Sequence, residues 1–268
     1  MHNDSAKPKD EWAFGEGYER YVGRWSRVVA RNFLTWLAVP PNNLWLDVGC
    51  GTGALTQTIL EEAAPSAILG IDPAQGFIDF ARQKIKDERV AFQLGDARQL
   101  PVETAAYDSI VSGFALNFVP DPVQAIEEMA RAAKPGGLVA VYVWDYAGRM
   151  QFMRHFWNAV SALHPHSADL DEGKRFPLCN PGPLADLFSS AGLHRVVVEP
   201  IDIWTEFKDF EDFWSPFLGG QGPGPGYVVS LSEVDRATLR ERIRAGLPIA
   251  LDGSLPLMAR AWAVRGFV

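Results

Sequence analysis

Cysteine is scarce, with two residues, Cys50 and Cys179, in a chain of 268. No disulfide framework is indicated, and a reducing, cytoplasmic setting fits. Positive charge is also short. Lys and Arg number 25 against 33 Asp and Glu, a formal net charge of −8. An acidic surface repels phosphate backbones, so no nucleic-acid partner is expected. Long apolar runs are missing as well. The longest lies near Leu138 to Trp144, far short of the roughly 20 residues a spanning helix needs. The opening MHNDSAKPKD is polar and has no apolar stretch of the kind a signal peptide carries. No membrane insertion and no secretion are expected, and no internal repeat is visible.

What is present suits one folded unit. Apolar residues make up 47% and charged residues 22%, enough for a single α/β domain over 1–268 with a sizeable core. Residues 18–38 place Tyr21, Trp25, Val28, Val29, Phe33, Trp36 and Leu37 at helical spacing, and Pro40-Pro41 stop them. A helical cap over 11–40 is the expectation. Next come NLWLDVG, SAILGID, RVAFQLGD, AYDSIVSGF and LVAVYVW, short apolar runs separated by helix-patterned segments. That alternation means βαβ units and a doubly wound, mainly parallel sheet with helices on both faces. After Trp144 the rhythm changes. HRVVVEPIDIWTEF and the closing LPLMARAWAVRGFV read as two long strands without a crossover between them. They predict an antiparallel edge pair, giving a seven-stranded Rossmann-like α/β fold. The segments 145–192 and 207–246 read as aromatic-rich lid insertions. Gly219-Gly220 and GPGPG at 222–226 read as a loop able to act as a lid.

The first strand runs into Gly49-x-Gly51-x-Gly53. Glycine there permits positive φ and close approach of a ligand, and the helix behind offers free N–H groups. Gly49, Gly51 and Ala54 also satisfy the dinucleotide pattern, and Asp72, 21 residues after Gly51, can take ribose hydroxyls for either ligand. A nicotinamide-dependent oxidoreductase and another adenosine ligand both remain open at this point. Asp47, two residues before Gly49, adds negative charge where a pyrophosphate would sit and suits a ligand with an ammonium group. Asp96 after the third strand adds a second acid at the same sheet edge, suited to an amino group. About 40 residues precede the first strand, whereas many dinucleotide domains begin almost at that strand.

Taken in order, LDVGCGTG at 46–53, GID at 70–72, GDARQLP at 95–101, YDSIVSGFALNFVPDP at 107–122 and KPGGLVAVYVW at 134–144 resemble the class I S-adenosylmethionine-dependent methyltransferases, of the small-molecule, ubiquinone/menaquinone-biosynthesis type. The opening YERYVGRWSR resembles the N-terminal helix of some of these enzymes. The resemblance covers about half the chain and implies S-adenosyl-L-methionine as cofactor. It implies that Gly49, Gly51 and Gly53 turn beneath the methionine part, with Asp47 near its amino group. Asp72, followed by Pro73, would grip the ribose. Asp96 and Ala97 would meet the adenine, Ser112 would lie beside the sulfonium, and Tyr21 and Arg24 would close over the cofactor. Tyr21 and Trp25 read equally well as a packed helix face.

Methyl transfer from a sulfonium needs alignment and exclusion of water, and a base only where the acceptor must lose a proton. Base candidates are His155, His164 and His166; each also reads as an ordinary surface or structural histidine. No metal site is expected. The acceptor pocket is expected around Phe114, Asn117, Phe118, Trp144 and Tyr146, with more aromatics from 150–157 and 207–227. The position after the fourth strand reads SGFALNF. It lacks the (Asn/Asp)-Pro-Pro-(Tyr/Phe) tetrapeptide that such enzymes use on exocyclic amines of bases. A small-molecule acceptor is therefore expected, its reacting atom and the oligomeric state left open. A non-catalytic adenosylmethionine-binding regulator stands as a further alternative.

Overall fold

The computed structural model describes residues 23–220 and 222–268; Tyr21 and the first part of the expected helical cap lie outside the described residues. Helix α1 (Arg24–Leu37) buries Trp25, Val29, Ala30, Phe33, Leu34 and Leu37, the three- and four-residue spacing of one helical face. Ala38 ends it in the left-handed conformation, its N–H bonded to Leu34 O.

Five strands follow, with a helix between each successive pair except β3 and β4: β1 (Leu44–Val48), α2 (Ala54–Glu62), β2 (Ala67–Asp72), α3 (Gln75–Lys84), β3 (Val90–Leu94), β4 (Tyr107–Gly113), α4 (Pro122–Ala132) and β5 (Ala133–Trp144). These five strands pair in parallel. Asp121 caps α4 by accepting from Gln124 N–H, and Pro122 stands in its first turn, where a missing N–H costs nothing. After β5 come α5 (Gln151–Leu163), a short α6 (Glu172–Arg175), α7 (Pro181–Ser190), β6 (His194–Phe207), α8 (Phe210–Trp214), α9 (Pro223–Ser230), α10 (Glu233–Gly246) and β7 (Leu255–Phe267).

The seven strands lie in the order β3-β2-β1-β4-β5-β7-β6. The mainly parallel seven-stranded sheet with an antiparallel edge pair expected above is present. The last strand in the chain is threaded between β5 and β6, antiparallel to both. The order reverses direction between β1 and β4. In an open α/β sheet the crevice at such a reversal, beyond the carboxyl ends of the strands, is where a ligand sits.

Two expectations change. GPGPG does not form a loop. Pro223–Ser230 is a helix, with Gly222 at φ 85° before it and Pro223, Gly224 and Pro225 buried. Prolines in a first helical turn break no hydrogen bond, and burial favours the helix over the sequence's breaker signal. The aromatics of 150–157 and 207–217 form core rather than a pocket. Phe152, Phe156, Phe213 and Phe217 are at most 1% exposed. Phe156 and Phe217 stack with ring centroids 4.4 Å apart, and Trp25 meets Phe207 at 5.0 Å. These contacts join α5 to the turn after α8, and α1 to the end of β6. Among the described residues, no helix is long and apolar enough to cross a membrane.

Candidate functional site

One cavity of about 410 Å³ opens at the carboxyl ends of β1, β2, β3 and β4. Its floor is the loop after β1. Gly49 has φ 73°, and a Cβ there would stand 2.4 Å from Ala115 Cβ. The loop therefore packs directly on the chain leaving β4, and only glycine permits both the angle and the approach. Gly51 has φ 52° and lines the cavity; a Cβ there would meet no protein atom within 4 Å. That open space on the cavity side is what a ligand lying along the backbone needs. Gly53 does not line the cavity. It opens helix α2, and a Cβ would stand 2.8 Å from Ile85 Cδ1.

Three of the expected acids face this space. Asp47 is wholly buried and lines the cavity. Its Oδ2 accepts from the Thr56 hydroxyl at 2.6 Å, and its Oδ1 has no partner. Burial pushes its pKa up to about 7; the Thr56 hydrogen bond opposes this and the Asp72 charge adds to it. A buried carboxylate oxygen without a donor is costly, and it fits a cationic or N–H-bearing group in the cavity. Asp72 accepts from Gly51 N–H at 2.9 Å and from Ala74 N–H at 2.8 Å. It thereby holds the glycine loop in shape, a duty the sequence did not reveal, and lone pairs remain on both oxygens for a ligand. Burial raises its pKa, opposed by those two N–H groups. Asp96 is more exposed, and its pKa is lowered chiefly by hydrogen bonding to the Arg98 side chain. Pro73 and Ala97 also line the cavity. Cys50 lines it too, but burial, with the Asp47 and Asp72 charges, holds its thiol well above the usual range. A protonated thiol is no nucleophile, and Cys50 acts as the small residue a tight turn tolerates.

The β4 end supplies the other wall. Phe114 has φ 57°, unusual for a bulky residue. Its ring stacks on Trp144 at 4.0 Å and meets Tyr142 edge-on at 4.6 Å. Phe114 and Phe118 line the cavity. Trp144 stands behind Phe114 instead of on the wall. Tyr146 packs on Phe176, and Phe176 meets Phe118 at 5.2 Å. Asn117 is also off the wall, its amide nitrogen and oxygen buried without partners.

Several expected residues are not brought here. Ser112 is buried beneath the glycine loop and does not line the cavity. Arg24 is paired with Asp212 at 2.8 Å, its guanidinium 4.2 Å from the Trp25 ring centroid and 4.5 Å from that of Phe207. It tethers α1 to α8, outside the cavity wall. His155, half-buried with its pKa lowered by burial, lies on α5. His164 Nδ1 shares a hydrogen bond with the Tyr227 hydroxyl at 2.7 Å, and His166 is exposed. None of the three histidines lines the cavity. Among the described residues, no three His, Cys, Asp or Glu side chains are grouped to hold a metal ion. Sequence reasoning missed Ser26, Thr52, Phe77, Arg98, Val119 and Tyr142, all on the wall. For Arg98 a signal existed, two residues after Asp96; Ser26 and Tyr142 depend on packing between distant elements.

Residues 46–141 match the family model for a methyltransferase domain. A demethylmenaquinone methyltransferase of Staphylococcus aureus is 38% identical over 165 residues, 57% of this chain and 68% of the relative. The enzyme of the same name from Lactobacillus johnsonii is 34% identical over 145 residues, and the alignment spans 59% of its length. The fold is similar to that of the Bacillus subtilis YcgJ protein, with TM-score 0.57 and 16% identity over 89% of this chain and 97% of that one. It is also similar to a Haemonchus contortus phosphoethanolamine N-methyltransferase solved with S-adenosyl-L-methionine, with TM-score 0.55 and 16% identity over 99% of this chain and 58% of that one.

Proposed function

The chain belongs to the class I S-adenosylmethionine-dependent methyltransferases, and we propose that its cavity holds this cofactor against a small, apolar, ring-bearing acceptor. Membership sets aside the nicotinamide reading of the glycine loop and the reading as a non-catalytic binder. The observation that carries the proposal is the convergence of Asp47, Asp72 and Asp96 with the open backbone of Gly51 on one cavity.

Each residue then has a task. Asp47 Oδ1, lacking a donor, receives the cofactor's ammonium, and the turn at Gly49 and Gly51 lets the methionine part lie along the backbone. Asp72 offers its remaining lone pairs to the ribose hydroxyls, beside Pro73. Asp96 accepts from the adenine amino group, and Ala97 contributes its backbone N–H. When bound, S-adenosylmethionine supplies an electrophilic methyl carbon on a sulfonium. The protein's part is to orient the acceptor in line with the bond that breaks and to keep water out. Phe114, Phe118, Val119, Pro120 and Tyr142 form the apolar wall for that purpose. Helix α1 caps the cavity by placing Ser26 on its wall, and the insertions 145–192 and 207–246 pack behind that wall as part of one domain. Phe176 of the first insertion backs Phe118.

The relatives' name supports a ring acceptor, and the aromatic wall agrees with it. The test is methyl transfer from labelled S-adenosylmethionine to hydroxylated naphthalenes, small amines, tRNA and duplex DNA in parallel. Turnover of the bicyclic aromatics alone is expected. Turnover of either nucleic acid, with none of the small acceptors, would overturn the proposal.

A further inference from the structure

We propose that Arg98 gates the adenine end of the cavity: its guanidinium holds the Asp96 carboxylate in competition with the cofactor's amino group, and yields it when the cofactor binds. This rests on the reading above that Asp96 accepts from the adenine.

Asp96 is heavily engaged. Its Oδ1 accepts from the Arg98 backbone N–H at 2.9 Å and from Nε at 3.0 Å; its Oδ2 accepts from Nη2 at 2.5 Å and from Nε at 3.2 Å. An ionised carboxylate offers about four lone-pair sites. An incoming amino group therefore meets an acid whose Oδ1 is filled and whose Oδ2 already holds a strong donor.

The two kinds of bond differ in what they do. The backbone bond belongs to the turn of 96–99, which Gln99 N–H closes on Asp96 O at 3.0 Å. The guanidinium bonds come from the side chain alone and can be broken without opening that backbone bond. Both side chains are 44% exposed, and exposed pairs of this sort are weak and exchangeable. A buried pair would lock the site, whereas this one can be displaced at small cost.

Arg98 itself lines the cavity, as Asp96 does, so its guanidinium stands where the ligand must enter. The guanidinium also offsets the Asp96 charge, so it weakens the pull of the site on a cationic ligand as well as filling its acceptor.

The test is calorimetry of S-adenosylhomocysteine binding to full-length variants, each checked by thermal melting. R98A is expected to bind about two- to fivefold more tightly than wild type, the range open to an exposed ion pair. Arg98→Gln, which keeps the stem and loses the fork, is expected to follow it. D96A is expected to bind more weakly, and D96A/R98A to match D96A. If D96A weakens binding while R98A binds like wild type or worse, the gate is overturned and Asp96 keeps its role. If D96A binds like wild type, the reading of Asp96 falls and the gate with it.

Discussion

The Asp47 carboxylate and the Thr56 hydroxyl lie 2.6 Å apart, buried beneath the glycine loop. The carboxylate has one oxygen satisfied and one bare. This pairing makes Asp47 both the cofactor's anchor in the proposal above and a weak point of the ligand-free fold.

The stability of the ligand-free protein should therefore fall as pH rises. Asp47 has a pKa of about 7 in the fold against an ordinary value of 3.8. Between those values the folded state binds more protons than the unfolded one, so stability declines through that window and levels off above it. Glu172, buried against Trp157 and pushed up to about 8, acts in the same direction. Melting temperatures at pH 5, 6, 7 and 8 test this, and D47N should flatten part of the slope. A stability that rises from pH 5 to 8 in wild type would contradict it.

Removing the donor isolates the acid. T56V should destabilise the protein by about 1–3 kcal/mol, the cost of leaving a buried polar group unsatisfied, and the loss should be smaller at pH 5, where Asp47 is protonated. Urea denaturation at pH 5 and pH 8 reads this difference.

Gly49 should not tolerate a side chain. G49A combines a φ of 73° with a contact of 2.4 Å to Ala115 Cβ. A loss of about 2–4 kcal/mol is expected. Adding A115G should relieve the contact but leave the angle, restoring only part of the stability in chemical denaturation.

Arg24 should matter to the cap and not to the cofactor. Its partner is Asp212, and it lies outside the cavity wall. R24A is expected to lower stability by about 1 kcal/mol and to leave S-adenosylhomocysteine affinity within about twofold of wild type. A loss of tenfold or more would place Arg24 at the cofactor after all.

Much of this fold is legible in the chain because its signals are local. β1 to β5 are short apolar runs ended by glycine, proline or acid. The alternation of β6 and β7 follows from one face packing on helices. The placement of β7 between β5 and β6 is not local, since it depends on pairings such as Val141↔Val264 between residues far apart in sequence. GPGPG misleads because propensity marks it as a breaker, while the burial of Pro223 and Pro225 makes it a helix start. In the site, Asp47, Asp72 and Asp96 are readable because they fall at strand ends beside a glycine turn. Their partners are not. That Arg98 forks onto Asp96, or that Ser26 reaches the wall from α1, depends on side-chain rotamers and on helix packing. The aromatic surplus suggested a pocket, but ring count alone does not separate a pocket from a core.

The most direct test of the account is calorimetry on the wild-type protein with S-adenosylhomocysteine and NADH in parallel. The account predicts a dissociation constant on the order of micromolar for the homocysteine product and no heat with NADH. Binding of NADH without binding of S-adenosylhomocysteine would contradict it, and Asp47 would have no ligand to answer its bare oxygen.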